Sequence, residues 1–295
     1  MRAIETVAIM TPGDMGSAVG GLLRRGGLRV VTNLEGRSGR TRALAGDAGI
    51  EDLGSDGALI AEADLVLSIL VPDQALALAE RLAPAIRDGA RGTVVVDCNA
   101  TAPETARAAA RVVEAAGGAF VDAGIIGPPP RRDSGRTRFY ASGRAAERFA
   151  ELRRQGLDVR LVSERVGDAS AVKMCYAALT KGTAALMTQL QVAAARHGVT
   201  ATLQEEFAAS QPEQLAWMRQ WVRTSVPKAF RWVGEMEEIA KTFAAAGVTP
   251  KGFEGAAATW RAVAATDLGQ MKVEEWSEAD PSFEEVVQSL AQQLP

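Results

Sequence analysis

Residues 6–25 read TVAIMTPGDMGSAVGGLLRR, and this stretch decides the fold. A short apolar run, a turn with two glycines and an amphipathic run follow one another, which predicts a buried strand, a tight turn and a helix. That order is typical of a dinucleotide-binding turn, in which the backbone lies against a pyrophosphate and the free N–H groups of the helix face its charge. We therefore expect Gly13, Asp14, Met15 and Gly16 to bind a cofactor.

The second predicted strand, residues 28–33 (LRVVTN), leads into a loop with acidic and basic side chains. In dinucleotide-binding folds the adenosine ribose lies at the end of this strand, where a carboxylate binds a 2′-hydroxyl and an arginine binds a 2′-phosphate. The loop has both Glu35 and Arg37, followed by the hydroxyl of Ser38. Because a guanidinium binds phosphate in a bidentate manner, the loop favours NADP(H) over NAD(H).

Strand-like and helix-like segments alternate as far as about residue 165. The further predicted strands are residues 64–71, 93–97, 119–126, 138–141 and 159–162. This alternation predicts an α/β fold with a Rossmann-type, doubly wound parallel sheet that has helices on both faces. Ligands of such sheets lie at the carboxyl ends of the strands, so Val71, Pro72 and Asn99 are further candidate cofactor-binding residues.

Residues 167–197, GDASAVKMCYAALTKGTAALMTQLQVAAARH, predict one long helix of good helix formers. At 100° per residue, Lys173 shares one stripe of this helix with Ala177 and Thr180. Tyr176 lies beside that stripe. A lysine in an apolar run is costly to bury unless it faces a cleft or a partner, so the stripe is a candidate site.

The rest of the chain keeps a helical spacing of apolar residues and contains no repeat or low-complexity linker. We therefore expect a Rossmann domain at residues 1–165 and an all-helical domain at residues 166–295, entered through the long helix. Glu235 and Glu238 are one turn apart and could meet a substrate cation, but such pairs usually lie on a solvated face, which we expect here. An alanine-rich helical domain suits packing between subunits, which favours a homodimer or a higher homo-oligomer.

Composition limits the classes of partner. The net charge of −3 comes from interspersed acidic and basic residues, which argues against nucleic acid. We expect no membrane span and no signal peptide. His197 is the only histidine, which excludes a multi-histidine metal site. It follows a predicted helix, where a basic residue suits the helix dipole. Cys98 and Cys175 lack a metal-binding spacing and suit a reducing cytoplasm.

Together these residues resemble the β-hydroxyacid dehydrogenase superfamily, which includes 3-hydroxyisobutyrate dehydrogenase, tartronate semialdehyde reductase and 6-phosphogluconate dehydrogenase. The matching features are the Gly13–Gly16 turn, Val71-Pro72, Asp97 followed by Pro103, Asp122-Ala123, and Gly167 followed six residues later by Lys173. The resemblance implies that Lys173 is the catalytic acid/base. The second half of the chain looks like a less characterised branch, whose C-terminal domain is related to, but distinct from, that of 6-phosphogluconate dehydrogenase.

Three positions depart from the pattern of that family. Thr11 replaces the first glycine of the dinucleotide motif. Ala177 stands where the family usually has an asparagine, and Ile126 stands where its substrate loop usually has a serine. Because both missing groups commonly hold the substrate in that family, the resemblance implies a larger or less polar substrate, or a different anchor. The candidate substrate-binding residues are Gly124, Ile126, Gly127, Tyr176, Ala177 and Thr180.

The sequence therefore predicts an NADP(H)-dependent dehydrogenase or reductase, which transfers hydride between nicotinamide and the hydroxyl or carbonyl carbon of a small molecule. General acid/base work by Lys173 requires a pKa lowered toward neutrality. Two alternatives stay open. One is an imine reductase, a class that resembles the same superfamily but generally lacks the lysine, and the other is an NADP-binding regulatory protein without turnover.

Overall fold

The computed structural model describes residues 3–89, 92–130 and 136–295, apart from the side chains of residues 273 and 274. The chain forms two compact units, one that ends at Met174 and one that begins at Cys175. Among the described residues, the first unit holds every strand, whereas the second is helical. The domain boundary near residue 165 stays a prediction.

Eight strands form one sheet in the first unit. The strands are β1 (Thr6–Met10), β2 (Arg29–Thr32), β3 (Glu51–Asp52), β4 (Leu65–Ser68), β5 (Val94–Asp97), β6 (Ala119–Ile126), β7 (Arg138–Ser142) and β8 (Asp158–Ser163). Their order across the sheet is β3-β2-β1-β4-β5-β6-β7-β8. All seven predicted strands are present, with ends shifted by a few residues at most. The additional strand, β3, is a two-residue edge strand without an apolar pattern.

Neighbouring strands are parallel, except that β6 and β7 are antiparallel. The sequence predicts a parallel sheet throughout, and the antiparallel pairing of β6 with β7 differs from this prediction. The chain between Ile126 and Arg138 is too short for the crossover that a parallel pair requires, so the two strands form a hairpin instead.

Helices cover both faces of the sheet. They are α1 (Asp14–Arg25), α2 (Gly39–Ala48), α3 (Asp56–Glu62), α4 (Ala75–Asp88), α5 (Pro103–Ala115), α6 (Ala146–Ala150) and α7 (Asp168–Ala177). One hydrophobic cluster includes Leu23 of α1 and Phe149 of α6, and the cluster on the opposite face includes Leu82 of α4 and Val113 of α5. The predicted Rossmann-type, doubly wound fold is therefore confirmed.

Helix α1 packs very close to the end of β1, and glycine makes this possible. A Cβ atom at Gly16 would lie 2.2 Å from the carbonyl oxygen of Thr11, and one at Gly20 would lie 2.6 Å from Cδ1 of Ile50. Since these distances are far below contact distance, any larger residue at Gly16 would move the helix away from the strand. The turn that precedes α1 is thereby held against the edge of the sheet.

The second unit begins within the last turn of α7. Its further helices are α8 (Thr183–Arg196), α9 (Thr200–Ser210), α10 (Pro212–Ser225), α11 (Ala229–Ala245), α12 (Lys251–Ala264), α13 (Asp267–Gln270), α14 (Val273–Ala279) and α15 (Phe283–Gln293). Trp232, Met236 and Ile239 are buried at the helical spacing that the sequence shows. Trp232 meets the buried Trp260 edge to face, with ring centroids 4.9 Å apart. No helix in the described ranges has the length and apolar character needed to cross a membrane.

The expectation of one regular helix over residues 167–197 is wrong in one respect. A π-helical turn at Ala178–Gly182 separates α7 from α8. Because this turn is wider than an α-helical turn, a stripe counted at 100° per residue loses its phase after Ala177. The hydroxyl of Thr180 donates to the carbonyl oxygens of Tyr176, at 3.3 Å, and Ala177, at 3.4 Å.

The expected solvated face at Glu235 and Glu238 is also wrong. The carboxylate of Glu235 forms an ion pair with Lys181, and both side chains are about 15% exposed. The Lys181 ammonium also lies 5.4 Å from the ring centroid of Trp232. The side chain of Glu238 is 8% exposed and accepts a 2.6 Å hydrogen bond from Lys241. Sequence spacing alone did not reveal Lys181 as a partner of Glu235, because Lys181 lies on a distant helical segment, whereas Lys241 is three residues from Glu238 on the same helix.

Candidate functional site

The turn between β1 and α1 presents unpaired polar groups. Gly13 precedes α1, and no side chain caps the first turn of the helix. Nothing lies within 4 Å of the point where a Cβ atom of Gly13 would stand. Among the described residues, the buried hydroxyl of Thr11 has no hydrogen-bond partner. A phosphate group fits this arrangement, since its oxygens would accept from the hydroxyl and from the first N–H groups of the helix. Asp14, which is exposed, forms a 2.8 Å ion pair with Arg40, and Met15 is half-buried.

Arg37, in the loop after β2, lies near a second arginine. Burial lowers the pKa of the Arg37 guanidinium, and the charge of Arg81 lowers it further. Nε of Arg81 forms a 2.8 Å ion pair with Asp56, whose other oxygen accepts a 2.8 Å hydrogen bond from Asn33. Asp56 thus holds Arg81 at the carboxyl end of β2. The sequence gives no sign of this role for Arg81, since it lies on α4 and no local pattern marks it.

The other two candidates of this loop differ in their contacts. Ser38 caps α2, because its hydroxyl accepts a 3.3 Å hydrogen bond from the N–H of Thr41. Glu35 is exposed, and its N–H donates to the side chain of Asn33. The carboxylate of Glu35 is therefore open to solvent at the place where the sequence analysis expects a ribose.

Asn99 joins the ends of β4 and β5. Its buried amide donates to the hydroxyl of Ser68, at 2.7 Å, and to the carboxylate of Asp97. Its carbonyl oxygen accepts from the N–H of Leu70. Val71 and Pro72 follow directly, Val71 exposed and Pro72 buried at the start of a short 3-10 helical turn. All polar atoms of the Asn99 amide thus have protein partners, and the side chain fixes the backbone that leads into Val71.

Two buried carboxyl groups lie side by side on β5 and β6. Asp97 and Asp122 are register partners, and both are buried. Burial raises the pKa of Asp97 to about 7, and the charge of Asp122 adds to this shift. Burial also raises the pKa of Asp122, against the effect of hydrogen bonds from Ser170, Ser142 and Gly167. The hydrogen bonds donated to Asp122 favour its ionised form, and its charge in turn favours the protonated form of Asp97.

Lys173 lies in the last turns of α7 and reaches back to β6. Its Nζ atom donates a 2.7 Å hydrogen bond to the carbonyl oxygen of Ile125. Burial lowers the pKa of Lys173 to about 8, and no charged neighbour contributes to this shift. Gly124 permits the contact, because a Cβ atom there would lie 2.7 Å from Cβ of Lys173. Lys173 is thus held in one position with a pKa close to physiological pH.

The other substrate-site candidates divide between the two units. Ile126 is buried, and Gly127 forms the turn after β6 at φ +123°, where a Cβ atom would lie 2.3 Å from the carbonyl oxygen of Arg136. In the second unit, Tyr176 is 49% exposed and Ala177 is buried. Of the six candidate substrate-binding residues, Gly124 is the one that contacts Lys173 among the described contacts. The substrate-binding roles of all six residues stay predictions. Within the described ranges, no group of three or more His, Cys, Asp or Glu residues is placed to hold a metal ion.

Two family models match the chain. The NAD binding domain of 6-phosphogluconate dehydrogenase matches residues 6–154, and a domain of unknown function, DUF1932, matches residues 194–263. A curated relative, the uncharacterized 28.5 kDa protein in the 7S RNA 5′ region of Methanothermus fervidus, is 26% identical over 178 residues. That match covers 60% of this chain and 66% of the relative, so the chain spans just under two thirds of the relative's length.

Solved structures place the whole chain in one fold. MTH1747, a conserved protein of unknown function with structural similarity to 3-hydroxyacid dehydrogenases, is 31% identical, with a TM-score of 0.65 over 88% of this chain and 96% of that chain. Mycobacterium tuberculosis 3-hydroxyisobutyrate dehydrogenase, solved with L-serine, is 18% identical, with a TM-score of 0.69 over 98% and 99% of the two chains. An imine reductase from Streptomyces aurantiacus is 23% identical, with a TM-score of 0.54 over 96% and 99% of the two chains. The last two likenesses concern the fold alone.

The Rossmann-type sheet, the glycine turn after β1 and these matches agree with the resemblance seen in the sequence. The chain belongs to the β-hydroxyacid dehydrogenase superfamily, and its first half is the NAD-binding domain found in 6-phosphogluconate dehydrogenase.

Proposed function

We propose that this protein is an NADP(H)-dependent oxidoreductase that acts on the hydroxyl or carbonyl carbon of a small molecule, with Lys173 as the general acid/base. The observation that carries the proposal is the position of Lys173, whose Nζ atom is fixed 2.7 Å from the carbonyl oxygen of Ile125. Burial lowers its pKa to about 8, so both protonation states are accessible near neutral pH.

The hydrogen bond to Ile125 suits proton transfer. The carbonyl oxygen accepts one N–H from either the ammonium or the amine form, so Nζ stays in place when the proton moves. In the oxidation direction, the neutral amine takes the proton of a substrate hydroxyl. In the reduction direction, the ammonium donates a proton to the carbonyl oxygen, which becomes the hydroxyl, and the neutral amine remains. Oxidation should therefore become faster as the pH rises through about 8, and reduction slower.

A bound nicotinamide cofactor supplies or accepts the hydride. The first turn of α1, from Gly13 to Gly16, would hold its pyrophosphate together with the free hydroxyl of Thr11. Val71 and Pro72 would border the cofactor, on a backbone that Asn99 fixes. Glu35 would bind a ribose hydroxyl if the protein used NAD(H).

The preference for NADP(H) rests on Arg37 and its surroundings. Arg37 and Arg81 place two positive charges near each other at the end of β2, and Asp56 forms an ion pair with Arg81. A 2′-phosphate would relieve the repulsion between the two guanidinium groups, because it carries more negative charge than the ribose hydroxyl of NAD(H).

Imine reduction is the second candidate function. It is favoured by the apolar side chains of Ile126 and Ala177 at positions where the superfamily commonly has polar substrate ligands. Lys173 argues against it, since imine reductases generally lack a lysine at this position. We further propose a soluble cytoplasmic homodimer or higher homo-oligomer that binds a small molecule and neither nucleic acid nor membrane.

A comparison of two lysine variants tests the proposal. Lys173→Met should bind NADPH with unchanged affinity but lose turnover of hydroxy acids or their keto partners by at least about 100-fold, the usual contribution of a general acid/base. The control, Lys251→Met, removes an exposed lysine and should keep both properties.

The other outcomes separate the alternatives. Full activity of Lys173→Met would overturn the role of the lysine. Turnover confined to imines would select the second candidate. Tight NADPH binding without turnover of hydroxy acids, keto acids or imines would identify a regulatory protein.

A further inference from the structure

Strand β6 contacts α7 at several points, and the function proposed above uses only the last of them. Asp122 is a fully buried residue near the middle of the strand. Two residues later, on the same face, is Gly124, and then comes Ile125, whose carbonyl oxygen holds Lys173. The roles of Asp122 and its neighbours in this arrangement follow from their contacts.

The Asp122 carboxylate binds the start of α7. One oxygen accepts hydrogen bonds from the N–H groups of Gly167, at 2.9 Å, and Ser170, at 3.0 Å. The other oxygen accepts a 2.6 Å hydrogen bond from the hydroxyl of Ser170. These N–H groups are among those that an α-helix cannot satisfy by itself, and a negative charge there is favoured by the helix dipole. The cap of α7 thus comes from a strand that lies 45 residues earlier in the chain.

Ser142 adds a second link between the sheet and the helix. Its hydroxyl donates to Asp122 and accepts from the N–H of Ala169, both at 3.0 Å. The first turn of α7 is therefore bound to β6 and β7 through Asp122 and Ser142. Since Lys173 is three residues after Ser170, the two side chains lie on the same side of the helix.

Gly124 sets the distance between α7 and the strand. Besides its close approach to Lys173, a Cβ atom at this position would lie 3.2 Å from the carbonyl oxygen of Ala169. The helix thus lies against the bare backbone of β6. Its position along the strand is set by hydrogen bonds at Asp122, and the Lys173 side chain leaves the helix next to Ile125.

We propose that Asp122 is the positioning residue of Lys173: its buried carboxylate anchors the start of α7 on β6, so that the Lys173 ammonium reaches the carbonyl oxygen of Ile125 and stays desolvated. An ionised carboxylate suits this role, because it can accept all four of these hydrogen bonds. The proposal rests on the proposed function only for the role of Lys173 as an acid/base. The anchoring itself is independent of any substrate.

The pKa of Lys173 is a readout that separates positioning from simple stabilisation. Burial is the cause of its lowered value, so a displaced side chain should regain a pKa closer to that of an ordinary lysine. A direct electrostatic effect of Asp122 on Lys173 would shift this pKa in the opposite direction. Removing a nearby anion lowers the pKa of an ammonium group. The direction of the shift therefore distinguishes the two effects.

The experiment is an NMR titration of the protein labelled with ε-¹³C lysine. The chain has only six lysines, and Lys173→Arg identifies the signal of Lys173. Asp122→Asn removes the charge at the start of α7 and replaces one of the two accepting oxygens with an NH2 group, so the pKa of Lys173 should rise by about one unit or more. Ser142→Ala should shift it in the same direction by less. Ser225→Ala, which removes a hydroxyl buried in the second unit, should leave it unchanged.

Retained signals of the other five lysines show that a variant is folded. A folded Asp122→Asn protein whose Lys173 titrates as in the unaltered protein, or at lower pH, would overturn the proposal. If Asp122→Asn does not fold, the test rests on Ser142→Ala. An unchanged pKa of Lys173 in Ser142→Ala would then overturn the proposal. The titration needs no substrate, so its result stands even if the protein turns out to lack dehydrogenase activity.

Discussion

Among single residues, Lys173 carries a free-energy cost of folding that depends on pH. Its folded pKa of about 8 lies below the ordinary value of 10.5, because burial disfavours the ammonium. Between these two values the unfolded chain binds more protons, so stability rises with pH over this range, and the full cost is present below about pH 8. A residue with such a cost fits a functional position, where stability is commonly sacrificed.

We therefore predict that Lys173→Met is more stable than the unaltered protein by about 1–3 kcal/mol near pH 7, since methionine fills a similar volume without a charge to desolvate. The difference should shrink as the pH rises from about 8 toward 10.5. Urea unfolding at several pH values measures it, with Lys251→Met as the exposed control. A destabilised Lys173→Met protein at pH 7 would show that the lysine is well solvated or favourably paired.

Residues of the site differ in how well the sequence reveals them. Lys173 stands out because it is the only basic residue between Asp168 and Thr180, and Gly16 because its spacing from Gly13 is that of a known turn. Arg81 and the anchoring contacts of Asp122 could not be derived from spacing. Their partners are brought close only by the sheet, from segments far apart in the chain.

At the scale of elements, the loop after β2 decides which nicotinamide cofactor the protein prefers. We predict that Arg37→Ala weakens NADPH binding by about 10–100-fold, or 1.4–2.7 kcal/mol, and leaves NADH binding nearly unchanged. Arg81→Ala should act in the same direction but less, since Asp56 offsets part of its charge.

Fluorescence titration with both cofactors measures these affinities. Arg160→Ala is the matched control, because this arginine is exposed and paired with Asp158 on the edge strand β8. Equal weakening of both cofactors in Arg37→Ala would mean that Arg37 orders the loop. Unchanged binding of both would make Glu35 the ribose ligand and NAD(H) the cofactor.

Elements are predictable where one local pattern determines them. Continuous runs such as TVVVD at residues 93–97 suit only a buried strand, and the structure has β5 there. The π-helical turn at Ala178–Gly182 has no such signal, since its residues could equally continue an α-helix. The same holds for the Lys181–Glu235 ion pair, which forms when α11 packs near this turn.

At the scale of the whole molecule, the alternation of strands and helices predicts the parallel sheet but not the antiparallel pairing of β6 with β7. Strands β1 to β6 lie in the order β3-β2-β1-β4-β5-β6, which is the order of a doubly wound dinucleotide-binding sheet. The antiparallel β6–β7 pair then brings β7 beside β6, and Ser142 of β7 thereby comes within reach of Asp122 and of the start of α7. A departure from the expected topology thus contributes to the anchor of the candidate acid/base.

The proposed cofactor-binding residues all lie in the unit that ends at Met174. Hydrogen exchange on the full chain with saturating NADPH should therefore show increased protection at residues 11–16 and 34–40, and no direct protection in α9 and α10. NADH at equal occupancy should protect residues 11–16 to the same extent but residues 34–40 less, because it lacks the phosphate that Arg37 would hold. Protection confined to the helical unit, or equal protection of residues 34–40 by both cofactors, would contradict the assignment. The first turn of α1 would then be a structural turn, or the loop after β2 would recognise the ribose without reading its 2′-phosphate.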